Sequence, residues 1–230
     1  DIQHKYVIGD ETKVREIFIN IIGNSVKYTP EGGKISVSVK EEPFEKLMFF
    51  YKSALKQLEL QMNIIKDEFK LIYNYDLIDH IDTRIKEPKS IVKKMEKKKY
   101  DKTYLNLIEK INDIAGIRIV CTLKDDIFFI RDLVKQIPDI HILKEKDYVT
   151  NPKESGYSSY HMIVEVPVKL TQKTIYVKCE IQIRTLAMDF WASFEHKVKY
   201  KTKNDVNPKM SKELVSCAKM INKFDTKMIN

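Results

Sequence analysis

Three short runs hold the residues best suited to chemistry: DIAGIRIV at 113–120, KESGYSSYH at 153–161 and CEIQIRT at 179–185. In CEIQIRT, Glu180, Gln182 and Arg184 alternate with Ile181 and Ile183. That is the period of an extended strand, so the polar residues share one face and the isoleucines the other. Asp113 stands at the mouth of a second apolar strand and supplies another carboxylate. Two such carboxylates are hard oxygen ligands of the kind taken by Mg2+, the cation that accompanies nucleotide phosphates. A carboxylate within reach of an attacking hydroxyl can also take its proton. The residues leave open whether Glu180 is base, metal ligand or both. The two roles are in tension, because a metal-bound carboxylate is a weaker base.

Cations surround these acids. Arg118 interrupts the apolar run IAGIRIVC, and a charge in an otherwise buried strand needs a partner or a ligand. In TRIKEPKSIVKKM (83–95), Arg84, Lys86 and Lys94, with Ser90, could converge on phosphates where an extended RIK leads into a helix, since a helix start is an anion site. In KESGYSSYH, Gly156 permits close backbone approach, Tyr157 offers a ring for stacking, and Lys153 and His161 bring donors toward a diphosphate. Each also has an ordinary explanation: solvated lysines, a structural ion pair for Arg118, a core histidine for His161.

The elements that position them read as follows. Pro43 suits the first turn of a helix. From Phe44 to Ile72 apolar residues recur at threes and fours, which predicts one amphipathic helix to about residue 75. A second helix is expected over 89–99 and a third over 125–136, with strands at 114–122, 160–168 and 174–184. At the end of the chain Met210, Leu214, Cys217, Ile221, Phe224 and Met228 alternate as in a short coiled-coil seam. Helices flanking a mixed β-sheet, an α+β fold, are the expected architecture.

Composition agrees without selecting a function. The chain has 230 residues, 43% of them hydrophobic, enough for a core. Its net charge is +8, yet residues 1–43 hold six basic and seven acidic side chains, so the excess belongs wholly to the remainder. Polyphosphate nucleotides suit that field, as would nucleic acid. Cys121, Cys179 and Cys217 form no CxxC pair, which argues against structural zinc and for a reducing, cytoplasmic compartment. No apolar stretch reaches membrane-spanning length and no signal leader opens the chain, so no membrane partner is expected.

From about residue 44 onward, five blocks in order (TRIKEPKSIVKKM, DIAGIRIVCTLKDDI, KESGYSSYH, VKCEIQIRT and LAMDFWASFEHKVKYK) resemble the RelA/SpoT family, specifically its small alarmone synthetases. The resemblance implies a nucleotidyltransferase-like fold and transfer of pyrophosphate from ATP to the ribose 3′-hydroxyl of GDP or GTP. It implies that Glu180 and Asp113 are catalytic and hold Mg2+. Arg84 and Arg118 would clasp adenine, with Lys86, Ser90 and Lys94 on the triphosphate. Tyr157 would stack on guanine, with Lys153 and His161 at the acceptor phosphates. Gln182 and Arg184 would support the pocket. A homotetramer, and an alarmone or RNA as regulator, belong to the same implication. The His-Asp pair of the family's hydrolase is not matched by His80, Ile81, Asp82, and ribosome-sensing domains are absent, so alarmone hydrolysis and direct ribosome sensing are not expected. The competing expectation is a silent module that binds guanine nucleotide, or single-stranded RNA through Tyr157, Tyr160 and Trp191. A pure anion binder has no use for Asp113 and Glu180.

Residues 1–43 differ. Gly9 to Glu42 is similar to the N-box region of sensor histidine kinases, with Asn24 in the place of its metal-binding asparagine and Lys27 beside the phosphates. The glycine-rich boxes and phosphoacceptor helix of such kinases are missing. The expected division is therefore a non-functional ATPase-like fragment over 1–43 and a synthetase domain over 44–230.

Overall fold

The computed structural model describes residues 11–34, 42–201 and 207–228. Two units emerge: Asp1–Phe49 with Lys86–Asn112, and Phe50–Ile85 with Asp113–Asn230.

The first unit is helical. It contains α1 (Glu11–Tyr28), the start of α2 (Glu42–Tyr73), α3 (Pro88–Lys97) and α4 (Tyr104–Lys110). Pro88 opens α3, where a missing N–H costs nothing, and Ile91 and Met95, four apart, are its buried stripe. Thr103 caps α4 by accepting the Asn106 N–H at 3.1 Å. The N-box-like helix is present as α1, and Gly32, with φ +84°, turns the chain after it. The strand expected next and the Asn24 side chain lie outside the described residues.

The second unit is built on a mixed sheet. Strands β1 (His80–Ile85), β2 (Ala115–Cys121), β3 (His141–Asp147), β4 (Tyr160–Lys169) and β5 (Thr174–Thr185) lie in the order β1-β2-β5-β4-β3. Only the β2–β5 pair is parallel among them. Alternation decides the faces: Val177, Cys179, Ile181 and Ile183 of β5 and Met162, Val164, Val166 and Val168 of β4 are buried, while Glu180, Gln182 and His161 are partly open. In β2 every residue is buried except Arg118. The expected α+β architecture is observed.

Helices α5 (Lys124–Gln136), α6 (Leu186–Lys201) and α7 (Pro208–Lys227) complete the unit. In α5, Asp126 reaches back to the Leu123 N–H at 3.2 Å, and Pro138 follows the last turn. Thr185 starts α6: its Oγ1 accepts the Met188 N–H at 3.1 Å and donates to Asp225 Oδ2 of α7 at 2.7 Å. Trp191 Nε1 donates to the Leu214 carbonyl at 3.0 Å, and Lys124 to Asn222 at 3.0 Å. The C-terminal helix is thus tied to the end of β5, to α6 and to α5.

Several features depart from the sequence reading. The strands β1 and β3 and the helix α4 carry no clear period; both strands are sheet edges with mainly polar side chains, where alternation is not enforced. Helix α2 stops at Tyr73 because Asn74 enters the left-handed region at φ +48°. The C-terminal seam is not one exposed stripe: Leu214 is buried and Ile221 packs against the same cluster, whereas Met210, Cys217, Phe224 and Met228 face outward.

Asp225 makes a test of these ties. Burial pushes its carboxyl above the usual carboxylate range, opposed by the Thr185 hydroxyl and by Lys124. A raised folded value means stability that is complete below the unfolded pKa and lost as pH rises through the folded one. Asp225→Asn keeps size and acceptor but removes the ionisation. Its stability relative to wild type should therefore increase as pH rises from about 4 to about 8. Urea unfolding at both ends of that window checks this; a pH-independent difference would contradict it.

Candidate active site

The sheet register assembles the polar face in rows. Across β1, β2 and β5, Arg84 pairs with Gly116 and Gly116 with Glu180; in the next row Asp82 pairs with Arg118, Arg118 with Gln182, and Gln182 with His161 of β4. Residues level with one another on adjacent strands point the same way, so these side chains converge. Gly116 leaves space for Arg84 to lie across the sheet: a Cβ there would sit 3.4 Å from Arg84 Nε. Asp82, Thr83, Arg84, Ile117, Arg118 and Glu180 are among the walls of a cleft of about 250 Å³.

Glu180 occupies the centre. Its Oε2 accepts from Gln182 Nε2 at 2.9 Å and lies 3.9 Å from Arg84, and its Oε1 lies 3.4 Å from His161 Nδ1. Burial alone would push this carboxyl up. His161 and Gln182 outweigh that and hold it below the usual range, while the nearby Asp113 charge opposes them. Glu180 is therefore ionised at neutral pH.

A closed circuit of hydrogen bonds surrounds it. The Tyr157 hydroxyl lies 2.8 Å from His161 Nε2 and accepts from Arg184 at 2.6 Å; Arg184 also donates to Gln182 Oε1 at 2.9 Å, and Gln182 returns to Glu180. Ser159 Oγ accepts from Arg184 Nε at 3.3 Å. One branch leaves the circuit: Asp189 Oδ1 lies 3.0 Å from Arg184 and 3.2 Å from Arg118. Arg118 Nε is buried and has no partner among the described residues.

The loop before β4 brings Tyr157 to this circuit. Lys153 Nζ stands 4.9 Å from the centre of the Tyr157 ring and 4.6 Å from that of Tyr148, and Arg184 Cζ is 5.1 Å from the Tyr157 ring. The tyrosine expected to offer an open surface is thus half-buried with cations over its ring.

Nine of the twelve residues singled out from sequence belong to this unit: Arg84, Asp113, Arg118, Lys153, Tyr157, His161, Glu180, Gln182 and Arg184. The other three, Lys86, Ser90 and Lys94, belong to the first unit. There Ser90 and Lys94 lie one turn apart on α3 and Lys86 just precedes it. Sequence reasoning gave Arg184 only a supporting part and missed Asp189. Its signal was a carboxylate in the first turn of the helix directly after the polar strand, where a helix N-terminus favours negative charge.

Asp113 and Glu180 fit Mg2+ as far as donor chemistry goes. Both offer hard oxygens, and Glu180 responds to the charge of Asp113. Among the described residues no group of three or more acidic, histidine or cysteine side chains forms a closed cage. Two carboxylates with phosphate and water completing the shell is a common magnesium arrangement.

Known proteins share this framework. A family model described as a region found in RelA/SpoT proteins matches residues 83–205. The GTP pyrophosphokinase YwaC of Bacillus subtilis is 44% identical over 188 residues, 82% of this chain and 90% of its own length. The crystal structure of small alarmone synthetase 2 from Bacillus subtilis superposes with a TM-score of 0.74 at 42% identity, over 82% of this chain and 97% of that one. That of small alarmone synthetase 1 from the same organism, bound to its product pppGpp, gives 0.74 at 31% identity, over 82% and 95%. This chain belongs to the RelA/SpoT family.

Proposed function

We infer that the chain is a GTP pyrophosphokinase that makes the guanosine alarmones. The observation that carries this is a largely buried Glu180, held by Gln182 and beside His161, between a cleft lined by two arginines and an aromatic loop, in a chain 44% identical to a GTP pyrophosphokinase. The 3′-hydroxyl of GDP or GTP attacks the β-phosphorus of ATP. The bond from that phosphorus to the α,β-bridging oxygen breaks, and AMP leaves. The hydroxyl proton passes to Glu180 as attack proceeds, so the lowered pKa makes Glu180 a mild base that acts late.

Residue roles extend this reading. Arg84 and Arg118 hold adenine in the cleft, and the unpartnered Arg118 Nε supports a ligand there. Lys86, Ser90 and Lys94 take the triphosphate, for which the start of α3 is suited. Lys153 and His161 meet the acceptor phosphates. Guanine stacks on Tyr157 by replacing one of the cations over its ring. Gln182 and Arg184 keep Glu180 and Tyr157 in place. Asp113 and Glu180 would hold Mg2+, which when bound would offset charge on the transferred group. Residues 44–230 would be the synthetase domain, with 1–43 an appended fragment. A homotetramer is supported by the outward Phe190, Phe194, Met220 and Phe224. Among the described residues no helix is long and apolar enough to cross a membrane. A cytoplasmic setting is supported by three free thiols.

Glu180→Gln keeps the shape and the contact with Gln182 but removes the charge. Synthesis should fall about 100-fold or more with nucleotide binding largely kept. Turnover above about a tenth of wild type would remove Glu180 from the centre of the reaction.

Two changes at Tyr157 separate its parts. Tyr157→Ala removes a stacking surface worth ~1–3 kcal/mol, so acceptor affinity should drop about 5- to 150-fold with ATP affinity little changed. Tyr157→Phe keeps the ring but breaks the ties to His161 and Arg184. It should lower kcat by about 5- to 30-fold with a small change in acceptor KM. Equal effects of the two would deny the hydroxyl a separate role.

Arg118→Ala should reverse the pattern, weakening ATP about 10-fold or more and GDP little. Equal losses for both nucleotides would overturn the division of the site.

A further inference from the structure

The loop that carries Tyr157 and the helix α7 meet without spare space. Gly156 has φ +87°, in the left-handed region that side chains disfavour. A Cβ at that position would lie 2.4 Å from Ala218 Cβ, 3.6 Å from Trp191 Cζ2 and 3.7 Å from Val215 Cα. Trp191, Leu214 and Ala218 form a buried cluster, and Tyr157 and Ile221 pack against it. The helix cannot yield easily, because Thr185 holds Asp225, Lys124 holds Asn222 and Trp191 holds the Leu214 carbonyl. On the other side, Gly156 N–H donates to the Lys153 carbonyl at 2.7 Å and Lys153 N–H to that of Tyr157 at 3.0 Å. The loop is therefore a tight turn seated on α7 at one residue, with Tyr157 next to the contact.

We propose that α7 is a positioning element for the acceptor nucleotide: Ala218 against Gly156 sets where Tyr157 stands relative to Glu180. The idea rests on reading Tyr157 as the guanine contact. A clash at 156 moves the tyrosine and disturbs its bonds to Arg184 and His161. The cleft assigned to ATP is walled by β1, β2 and β5, with no residue from the loop or from α7. Its affinity should be insensitive to the contact. A merely structural role for α7 would instead weaken both nucleotides together.

The test uses the full chain with magnesium. Gly156→Ala should raise the KM for GDP about tenfold or more while the KM for ATP changes less than about twofold. Adding Ala218→Gly removes the atom at 2.4 Å and leaves only contacts of ordinary length, so it should recover part of the lost acceptor affinity, the left-handed backbone strain at 156 being common to both variants. Equal losses for both nucleotides, or no rescue in the double variant, would overturn the proposal. Should Gly156→Ala not fold, the wild type decides. Trp191 is the chain's one tryptophan and packs beside this contact, so GDP should change its emission saturably, with the midpoint found by calorimetry, and a non-hydrolysable ATP analogue should not. GDP binding without a response from Trp191 would defeat the inference alone. No GDP binding by calorimetry would defeat the alarmone reading and the inference with it.

Discussion

A buried guanidinium organises this site. Arg184 is 5% exposed at the end of a central strand, and a charge so placed must be fully partnered or the fold loses several kcal/mol. Its partners are Asp189, Tyr157, Gln182 and Ser159. Satisfying Arg184 therefore fixes an aromatic ring on the loop, an amide beside Glu180 and a carboxylate on α6. The requirement is electrostatic, but its result is geometric: a loop, a strand and a helix are held around one carboxylate.

The same network joins the two halves of the site. Asp189 bridges Arg184 to Arg118, and Arg118 faces the cleft while Arg184 holds the tyrosine. Glu180 stays ionised because Gln182 and His161 favour its charged form against burial, which keeps it ready for a proton, a cation or both.

Much of this was legible in the residues. The alternation of CEIQIRT gave the polar face of β5, and the odd arginine in IAGIRIVC marked Arg118 as a residue in need of a partner. The central strands followed because one of their faces must be apolar. The edge strands β1 and β3 did not, since nothing obliges an edge to alternate. Arg184 as a hub was hidden for a different reason: strand period tells which way a side chain points but not which residues of other elements it meets. Asp189, 5 residues on and across a strand-to-helix junction, could be recognised only by charge at a helix start. The inward turn of Leu214 and Ile221 was likewise invisible, because a seam that packs on its own chain and one that packs on a partner have the same spacing.

The most direct measurement follows a labelled phosphate. Incubated with γ-labelled ATP, magnesium and either GDP or GTP, the protein should place the label in a guanosine tetra- or pentaphosphate and release unlabelled AMP. Label that remains in ATP, or appears only as orthophosphate, with both acceptors would contradict the account.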